Sequence, residues 1–581
     1  MNATLARWSV GRFAPLALAG AVSFSLACSG SVGGGGPGMT GGTGNTGGGT
    51  GGSGPVTLPP DDLKGPIVSV PGPGTRLARL TNQQWENTVQ DLLHLPAPLG
   101  LSNSFVEAPL VTSFDTNGGV LNVDATNRLD FQTAAEAVAK QVAHDPKLLA
   151  QVAPAMSDMA ARAKAFIQTF GLRVFRRPLT DADVSRYTDL FNKGATLLAS
   201  GDAFVDGVEI VLRALLQSPH FLYRVESSTT VVSGKIPLSD YEIASRLSYS
   251  LANTMPDDTL FAAAAAKKLQ SRDEVVSEAQ RLVASAEGRA TAGNFYYQLL
   301  HLADYDQISK DAMKAPALAM GIGTDLKQEV MSFTDDVVFN QDRGLTELLS
   351  AAYTFANSKV AKVYGLASPA VAAGQPDPFV KVNLDPAQRS GLLTQAGFLS
   401  ANADGQTPSI IVRGVHIAKD VLCVAIPPPP DVVPPLPALD PMSTNRQRVA
   451  TLTANPPCSA CHTSLINPLG YAFEKLDGFA QPRTQENGQP IDATGKYTID
   501  GKEIAFNGQL ELIKAIAGSQ QAQDCYAAHL MEYLYGRDVD PGSDADKNLV
   551  ARAGARAKAN PSTKNLIVNL VATDAFLTRA P

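Results

Sequence analysis

The sequence predicts a mainly α-helical, multidomain protein with minor β-hairpins. Long stretches of the chain place apolar residues at the spacing of a helix face, and several of them begin with a helix-capping signal. Runs with the alternating pattern of a strand are few and short. A hydrophobic content of 44% over 581 residues is enough to form the cores of several packed units.

The N-terminus has the pattern of an export signal. Arg7 and Arg12 form a basic region, and the apolar run over 13–27 ends in small residues. This run of about 15 residues is too short to span a bilayer. The tetrapeptide Ser-Leu-Ala-Cys over 25–28 resembles the lipobox of bacterial lipoproteins, with Ser25 where leucine is usual. The sequence predicts a signal peptide over 1–28 with lipidation of Cys28, and ordinary cleavage stays open.

The Gly-, Ser- and Pro-rich composition of residues 29–74 predicts a flexible tether. Between Gly30 and Gly54 the chain is mostly Gly, Ser and Thr, and such a composition builds no core. A tether of about 25 residues would span roughly 28 Å root-mean-square. This length suits a folded body that is held off a membrane surface.

Helical spacing recurs along the rest of the chain. Thr81 and Gln84 have the spacing of a capping box that opens the first helix, and Thr180 caps another. Further helices are predicted over 124–152, 204–216, 238–252, 272–303, 323–339, 386–400, 408–422, 520–536 and 562–578.

Strands and linkers interrupt this helical pattern at a few places. Strand signals occur over Thr229–Val232, Phe379–Val382 and Tyr497–Phe506, the last around a turn at Asp500-Gly501. An Ala/Pro/Gly-rich linker follows at 365–378. Pro427–Pro437 holds seven prolines in eleven residues, which predicts an extended polyproline arm. This arm is either a rigid connector or a partner-binding proline motif.

The pentapeptide Cys458-Ser-Ala-Cys461-His462 is the strongest chemical signal in the chain. C-x-x-C-H is the attachment motif of c-type haem. Two thiols one helical turn apart can bond the two vinyl groups on one haem edge, and the adjacent histidine can offer a nitrogen to the iron. The alternatives are half of a zinc site, a redox dithiol and chance. Zinc would need a second ligand pair, and a thioredoxin-like dithiol would need a βαβ context.

Other classes of function leave no comparable pattern. Lys and Arg total 48 against 55 Asp and Glu, a net charge of −7, and no basic run indicates a nucleic-acid partner. The sequence also has no phosphate-binding glycine loop and no G-x-S-x-G or H-E-x-x-H motif. No nucleotide-binding or hydrolase activity is predicted, and catalytic residues are not identified.

The order of several motifs resembles one family over nearly all of residues 75–581. The chain is similar to large exported bacterial proteins of planctomycete type, which are built of serial domains of unknown function and end in a cytochrome-c-like C-x-x-C-H unit. The motifs are Arg76-Leu-Ala-Arg-Leu-Thr81, Phe175-Arg-Arg-Pro-Leu-Thr180, Gln217-Ser-Pro-His220, Met255-Pro-Asp-Asp258, Arg389-Ser-Gly-Leu-Leu-Thr394, Arg413-Gly414, Asn467-Pro-Leu-Gly470 and Tyr533-Leu-Tyr-Gly-Arg537.

The resemblance implies a division of the chain into units and a cytochrome-c-like fold around the motif. The boundaries we predict are helical units at 75–155, 156–232 and 233–364, a linker at 365–385, a cytochrome-c-like unit at 386–485 and a C-terminal helical unit at 486–581. The cytochrome-c-like unit carries both the proline arm and the haem motif.

Five cysteines fit this interpretation. Lipidation of Cys28 and haem attachment at Cys458 and Cys461 leave Cys423 and Cys525, which we expect to form a disulfide in an exported chain. Two buried free thiols are the alternative.

The iron ligands are only partly defined by the sequence. His462 is expected to be the proximal ligand. Met531 is the candidate for the distal position, although a methionine on an apolar helix face usually packs in a core. Met442 and an open site are rivals, and His416 and His529 also lie within reach along the chain.

Three functions are compatible with these observations. The first is an exported, lipid-anchored protein with one haem c that transfers electrons to an unknown redox partner, in the periplasm or at the cell surface. The second is a haem-dependent extracellular oxidoreductase, because about 380 mostly helical residues before the haem unit exceed what an electron carrier needs. The third is a surface binding or scaffold protein with a structural haem.

Overall fold

The computed structural model describes residues 77–107, 114–318, 321–371, 374–405, 407–427 and 442–581. The predicted signal peptide, Cys28, the tether and most of the proline arm lie outside the described residues.

The first part of the described chain is a helical bundle. The first helix begins as predicted, because Thr81 Oγ1 accepts from the Gln84 amide at 3.0 Å and Gln84 Oε1 accepts from the Thr81 amide at 3.2 Å. The predicted helix over 124–152 is broken at Asp145, which caps a second helix that starts with Pro146. The helices are α1 Asn82–Leu92, α2 Ala125–His144, α3 Pro146–Val152, α4 Met159–Phe175, α5 Asp181–Leu197, α6 Ala203–Leu216 and α7 Pro219–Leu222.

The middle part is also helical. The predicted helix over 272–303 is two helices, because Ser285 takes an extended conformation and its hydroxyl accepts from the Gly288 amide at 3.0 Å. The helices are α8 Asp240–Leu251, α9 Asp258–Ala265, α10 Arg272–Ala284, α11 Ala286–Leu299, α12 Gly323–Asp335, α13 Leu345–Ser350 and α14 Ser358–Val363. Helix α12 continues into a π-helical turn, Asp336–Asn340.

In the last part, the predicted helix over 386–400 starts late. Its first half is irregular around Gly391, whose φ of +54° and close approach to Leu348 O leave no room for a side chain. The helices are α15 Ala396–Ala401, α16 Ile410–His416, α17 Asn445–Leu452, α18 Ser459–Cys461, α19 Asn467–Tyr471, α20 Gln509–Ala517, α21 Gln520–Tyr535, α22 Asp544–Ala559, α23 Thr563–Val571 and α24 Asp574–Leu577.

The described strands form small two-stranded antiparallel sheets, and the predicted hairpin around Asp500-Gly501 is confirmed. The predicted strand over Thr229–Val232 is wrong. All four residues are exposed, so neither face of a strand there would pack against a core. The pairs are β1 Leu77–Arg79 with β2 Tyr223–Val225, β3 Ile236–Pro237 with β12 Thr578–Arg579, β4 Tyr353–Ala356 with β5 Val380–Asn383, β6 Ala403–Asp404 with β7 Thr407–Pro408, β8 Gln485–Glu486 with β9 Gln489–Pro490, and β10 Thr494–Ile499 with β11 Lys502–Asn507.

Two hydrophobic cores hold these elements, and the mainly α fold class is confirmed. One core is built around Trp85, Phe166 and Leu212 of the first bundle. The other runs from the middle helices to Phe576 near the C-terminus. Strand β12 pairs with β3 and brings the end of the chain back to the start of the middle helices. In the part of the chain that the structure describes, no helix is both long and apolar enough to cross a bilayer.

Candidate functional site

The C-x-x-C-H motif lies on a continuous helical stretch from Cys458 to Lys475. Helix α18 is followed by a π-helical turn over His462–Ile466, by α19 and by a 3₁₀ turn over Ala472–Lys475. The amides of Cys461 and His462 both donate to the carbonyl of Cys458, at 3.2 and 3.0 Å. Cys458 and Cys461 are free thiols of intermediate exposure. The two sulfurs are therefore one helical turn apart and accessible, as attachment at two points requires.

Pro468 accounts for the π turn after the motif. Proline has no amide hydrogen to donate to the carbonyl four residues earlier, and its ring crowds that carbonyl. The helix therefore widens before Pro468, and its backbone hydrogen bonds there join residues five apart instead of four. This geometry brings Asn467 under His462, where an α-helix would have placed Ile466.

A chain of hydrogen bonds fixes the tautomer of His462. Thr453 donates its hydroxyl to the Val449 carbonyl at 2.7 Å, so its oxygen accepts from Asn467 Nδ2 at 2.8 Å. That contact orients the buried amide of Asn467 with Oδ1 facing His462 Nδ1 at 2.9 Å. Nδ1 must then carry the proton, and Nε2 is left with its lone pair. His462 is thus prepared to ligate a metal through Nε2.

Helix α17 places Thr453 at this position. A capping box at Thr444 and Gln447 starts the helix. Next to it, Asn445 Nδ2 donates to Glu474 Oε1 at 3.2 Å and to the Pro408 carbonyl at 2.9 Å. Glu474 is 1% exposed, and burial raises the pKa of its carboxyl group. The buried polar contacts of Asn445 tie α17 to the end of the motif-bearing stretch.

Helix α16 packs directly on the motif-bearing stretch through two glycines. A Cβ atom on Gly414 would lie 2.2 Å from Ile466 O, and one on Gly470 would lie 2.0 Å from Ile410 O. Both distances are far below van der Waals contact, so only glycine permits this crossing. The close approach sets the position of the π turn, and with it His462, on the body of the protein.

Arg413 of α16 closes the end of the same stretch. Its side chain is fully buried, and the guanidinium donates to the carbonyls of Leu476 at 3.0 Å and Phe473 at 3.3 Å. It also donates to those of Asp477 at 3.0 Å and Leu399 at 2.8 Å. Burial lowers the pKa of Arg413 to about 9. The guanidinium thus caps the end of the motif-bearing stretch by donating to carbonyls at and just after its last turn.

Cys423 and Cys525 are joined by a disulfide that spans 102 residues of sequence. Cys423 follows α16 and is exposed, whereas Cys525 on α21 is 2% exposed. His529 lies against this bond, with Nε2 3.6 Å from Cys423 Sγ and 3.5 Å from Cys525 Sγ. Its Nδ1 faces Glu532 Oε2 at 3.2 Å. The covalent link therefore connects the two sides of the segment that carries the motif.

Each candidate for the distal iron ligand lies in a different environment. Met531 is 1% exposed and packs in the second core, while Met442 is 63% exposed. His416 Nδ1 faces Asp420 Oδ2 at 2.8 Å, and His529 lies at the disulfide. The distal ligand, including Met531, stays a prediction.

Sequence reasoning did not foresee the residues that orient His462. The sequence marks Asn467 only as part of a family-like motif, and no sequence pattern marks Thr453. Proline six residues after the histidine was a usable signal, because it predicts a local departure from α-helical register.

Five family models match the chain in series, each described as a protein of unknown function. In chain order they are DUF1587 over residues 78–144, DUF1595 over 162–226, DUF1592 over 238–366, DUF1588 over 389–486 and DUF1585 over 502–576. The predicted series of such domains is confirmed. The C-x-x-C-H motif falls within the DUF1588 match. No curated protein and no solved structure matches the chain.

Proposed function

We propose that this protein carries one covalently attached haem c and transfers electrons outside the cytoplasm. The observation that carries the proposal is the tautomer of His462, whose Nδ1–H is held by Asn467 so that Nε2 keeps its lone pair. A redox dithiol would not need this arrangement, and a zinc site would need a second ligand pair beside the motif. The match of residues 389–486 to DUF1588 is compatible with it.

The residues around the motif fit the group. Cys458 and Cys461 are unpaired thiols on one helical turn, and the adjacent imidazole has a free nitrogen. Bound through two thioethers, haem would supply a one-electron redox centre whose potential is set by its axial ligands. The chain itself contributes a rigid base, since α16, α17 and Arg413 all hold the motif-bearing stretch in place.

Export and membrane anchoring complete the proposal. Haem attachment of this kind takes place outside the cytoplasm, and the signal pattern over 1–28 with Cys28 provides the route and a lipid anchor. The tether over 29–74 would let the folded body reach a redox partner near the membrane surface. Nucleic acid is not among the proposed partners.

Covalent haem is the first expected result. The protein, expressed with a cytochrome c maturation system, should give one haem per chain in a pyridine haemochrome spectrum, and the haem should resist acid-acetone extraction. Changing both Cys458 and Cys461 to serine should abolish the covalent haem. The matched control, Ser459→Ala at a variable position of the same motif, should keep it. Wild-type protein without covalent haem contradicts the proposal.

Asn467→Ala should weaken the bond between His462 and iron without preventing attachment. Losing the partner of a ligating histidine costs about 10- to 100-fold in metal affinity. Because protons compete for the same nitrogen, the acid transition of the Soret band should move up by about 1–2 pH units. Asn467→Asp should move it down, since a carboxylate is a stronger acceptor. Asn455→Ala, an exposed asparagine next to the motif, is the control. An unchanged transition in Asn467→Ala contradicts the assigned role.

A second candidate function is a haem-dependent oxidoreductase. One observation favours it, a small cleft of about 60 Å³ beside α16, lined by Leu299, Tyr305, Leu393 and Phe398 among others. A high-spin, ligand-binding iron would favour an enzyme, whereas a low-spin six-coordinate iron would favour electron transfer.

A further inference from the structure

Three metal-ligating side chains converge at the cleft beside α16. His416 Nδ1 is 2.8 Å and His301 Nε2 is 3.1 Å from the same oxygen, Asp420 Oδ2. The rings of the two histidines are 4.9 Å apart between centroids. The two histidines come from parts of the chain more than a hundred residues apart. All the ligand atoms lie within 4.8 Å of one another.

The spacing of these atoms fits the coordination sphere of one metal ion. Two ligand atoms about 2.1 Å from a metal and at right angles to each other lie about 3 Å apart. The measured separations from Asp420 Oδ2 are 2.8 and 3.1 Å. Two imidazoles and one carboxylate are also the ligand set of mononuclear sites with open positions, in non-haem Fe(II) and in catalytic Zn²⁺ centres.

The backbone has uncommon conformations at two of the three ligands. Asp420 lies in a π-helical turn over Ile417–Val421 that extends α16, and such turns often occur at functional sites. His301 has a left-handed backbone, with φ of +51°, which is uncommon for a residue with a side chain. His301 follows the end of α11 and lines the cleft.

The cleft wall supplies an independent observation. Gln395 lines the cleft and is 1% exposed. Its Nε2 donates to Thr354 Oγ1 at 3.2 Å, but its Oε1 has no hydrogen-bond partner among the described residues. A buried acceptor without a partner costs free energy unless a ligand or water satisfies it. The wall of the cleft therefore includes a residue with a buried acceptor that has no partner among the described residues.

We propose that His301, His416 and Asp420 bind one divalent first-row transition-metal ion whose open coordination positions face the cleft. This site is separate from the C-x-x-C-H motif. Gly414 of α16 faces the π turn of the motif, and His416, two residues later, lies about 200° around the helix. The proposed ion and the haem motif are thus on opposite sides of one helix, about 10 Å across.

Zn²⁺ alone is a suitable probe, because it measures binding without redox chemistry. The mature protein, stripped with EDTA, should bind one Zn²⁺ per chain by isothermal titration calorimetry and by elemental analysis after gel filtration. His301→Asn, which suits a left-handed backbone, and Asp420→Asn should each weaken binding at least tenfold. His144→Ala is the matched control, because His144 pairs with Glu209 at 2.9 Å and no third metal-ligating group joins them among the described residues.

The same titration in a chain with Cys458→Ser and Cys461→Ser separates this proposal from the haem proposal. Neither haem nor motif thiolates are then present, so one Zn²⁺ should still bind if the cleft site is real. No stoichiometric binding, or binding that survives His301→Asn and Asp420→Asn, overturns the proposal and leaves a histidine–aspartate ion pair. Circular dichroism of both variants checks that the fold is kept. If His301→Asn alone unfolds the chain, Asp420→Asn decides the outcome.

Discussion

Arg413→Met should destabilise the protein by about 3–5 kcal/mol, the cost of breaking a buried charged network. The side chain is fully buried, and the variant removes the donors of four carbonyl groups, two of them those of Leu476 and Asp477. It also leaves buried Glu474 with one cation fewer nearby. Methionine fills much of the space, so the loss should come mainly from unsatisfied polar groups.

Guanidinium unfolding followed by circular dichroism measures this effect. Arg186→Met is the matched control, because Arg186 is 70% exposed and pairs with Asp183 only at 3.8 Å. That change should stay within about 0.5 kcal/mol of wild type. Arg413→Lys should recover little, since an ammonium group cannot donate to four carbonyls arranged around a planar fork. Equal midpoints for Arg413→Met and Arg186→Met would refute the role given to Arg413.

Loss of the Cys423–Cys525 disulfide should destabilise the protein by up to about 4.7 kcal/mol, the chain-entropy value for a loop of this length. The loop of 102 residues includes the whole motif-bearing stretch, so its release should loosen α16 and α21 together. The double change of Cys423 and Cys525 to serine should lower the unfolding midpoint. Reductant should lower that of wild type to the same value.

Thioethers resist reductants that open disulfides, so reduction would leave the proposed haem in place and would isolate the effect of the disulfide. Cys423 is exposed, so reductant can approach the bond. In a non-reducing peptide map, a cross-linked peptide containing both cysteines is expected. Recovery of both as alkylatable thiols from exported protein would contradict the bond.

Helix boundaries followed from the sequence wherever local signals were strong. The capping box at Thr81 and the helix over Ala203–Leu216 lie where the spacing of apolar residues and the cap predicted them. Long predicted helices failed at Ser285 and Asp145, because a short polar side chain there satisfies the amides of a new helix. The predicted strand over Thr229–Val232 failed because β propensity without a buried partner does not make a sheet.

The sequence by itself determined the chemistry of the motif. Two cysteines and a histidine within one helical turn are a local pattern, and the spacing alone identifies the thiols and the imidazole that a haem would use. The mainly helical class likewise follows from the spacing of residues that are close together in the chain. The expectation of a disulfide follows from a simple count of the cysteines.

Only the tertiary structure decided how these residues are held and what else is near them. The bond from His462 to Asn467 depends on a π turn, and the amide orientation depends on Thr453, the residue that follows α17. His301 meets His416 and Asp420 across more than a hundred residues. Such contacts depend on how helices cross, here through glycines at 414 and 470 that let backbones touch. Local periodicity determines which face of a helix is apolar, but it does not determine which distant helix packs against that face.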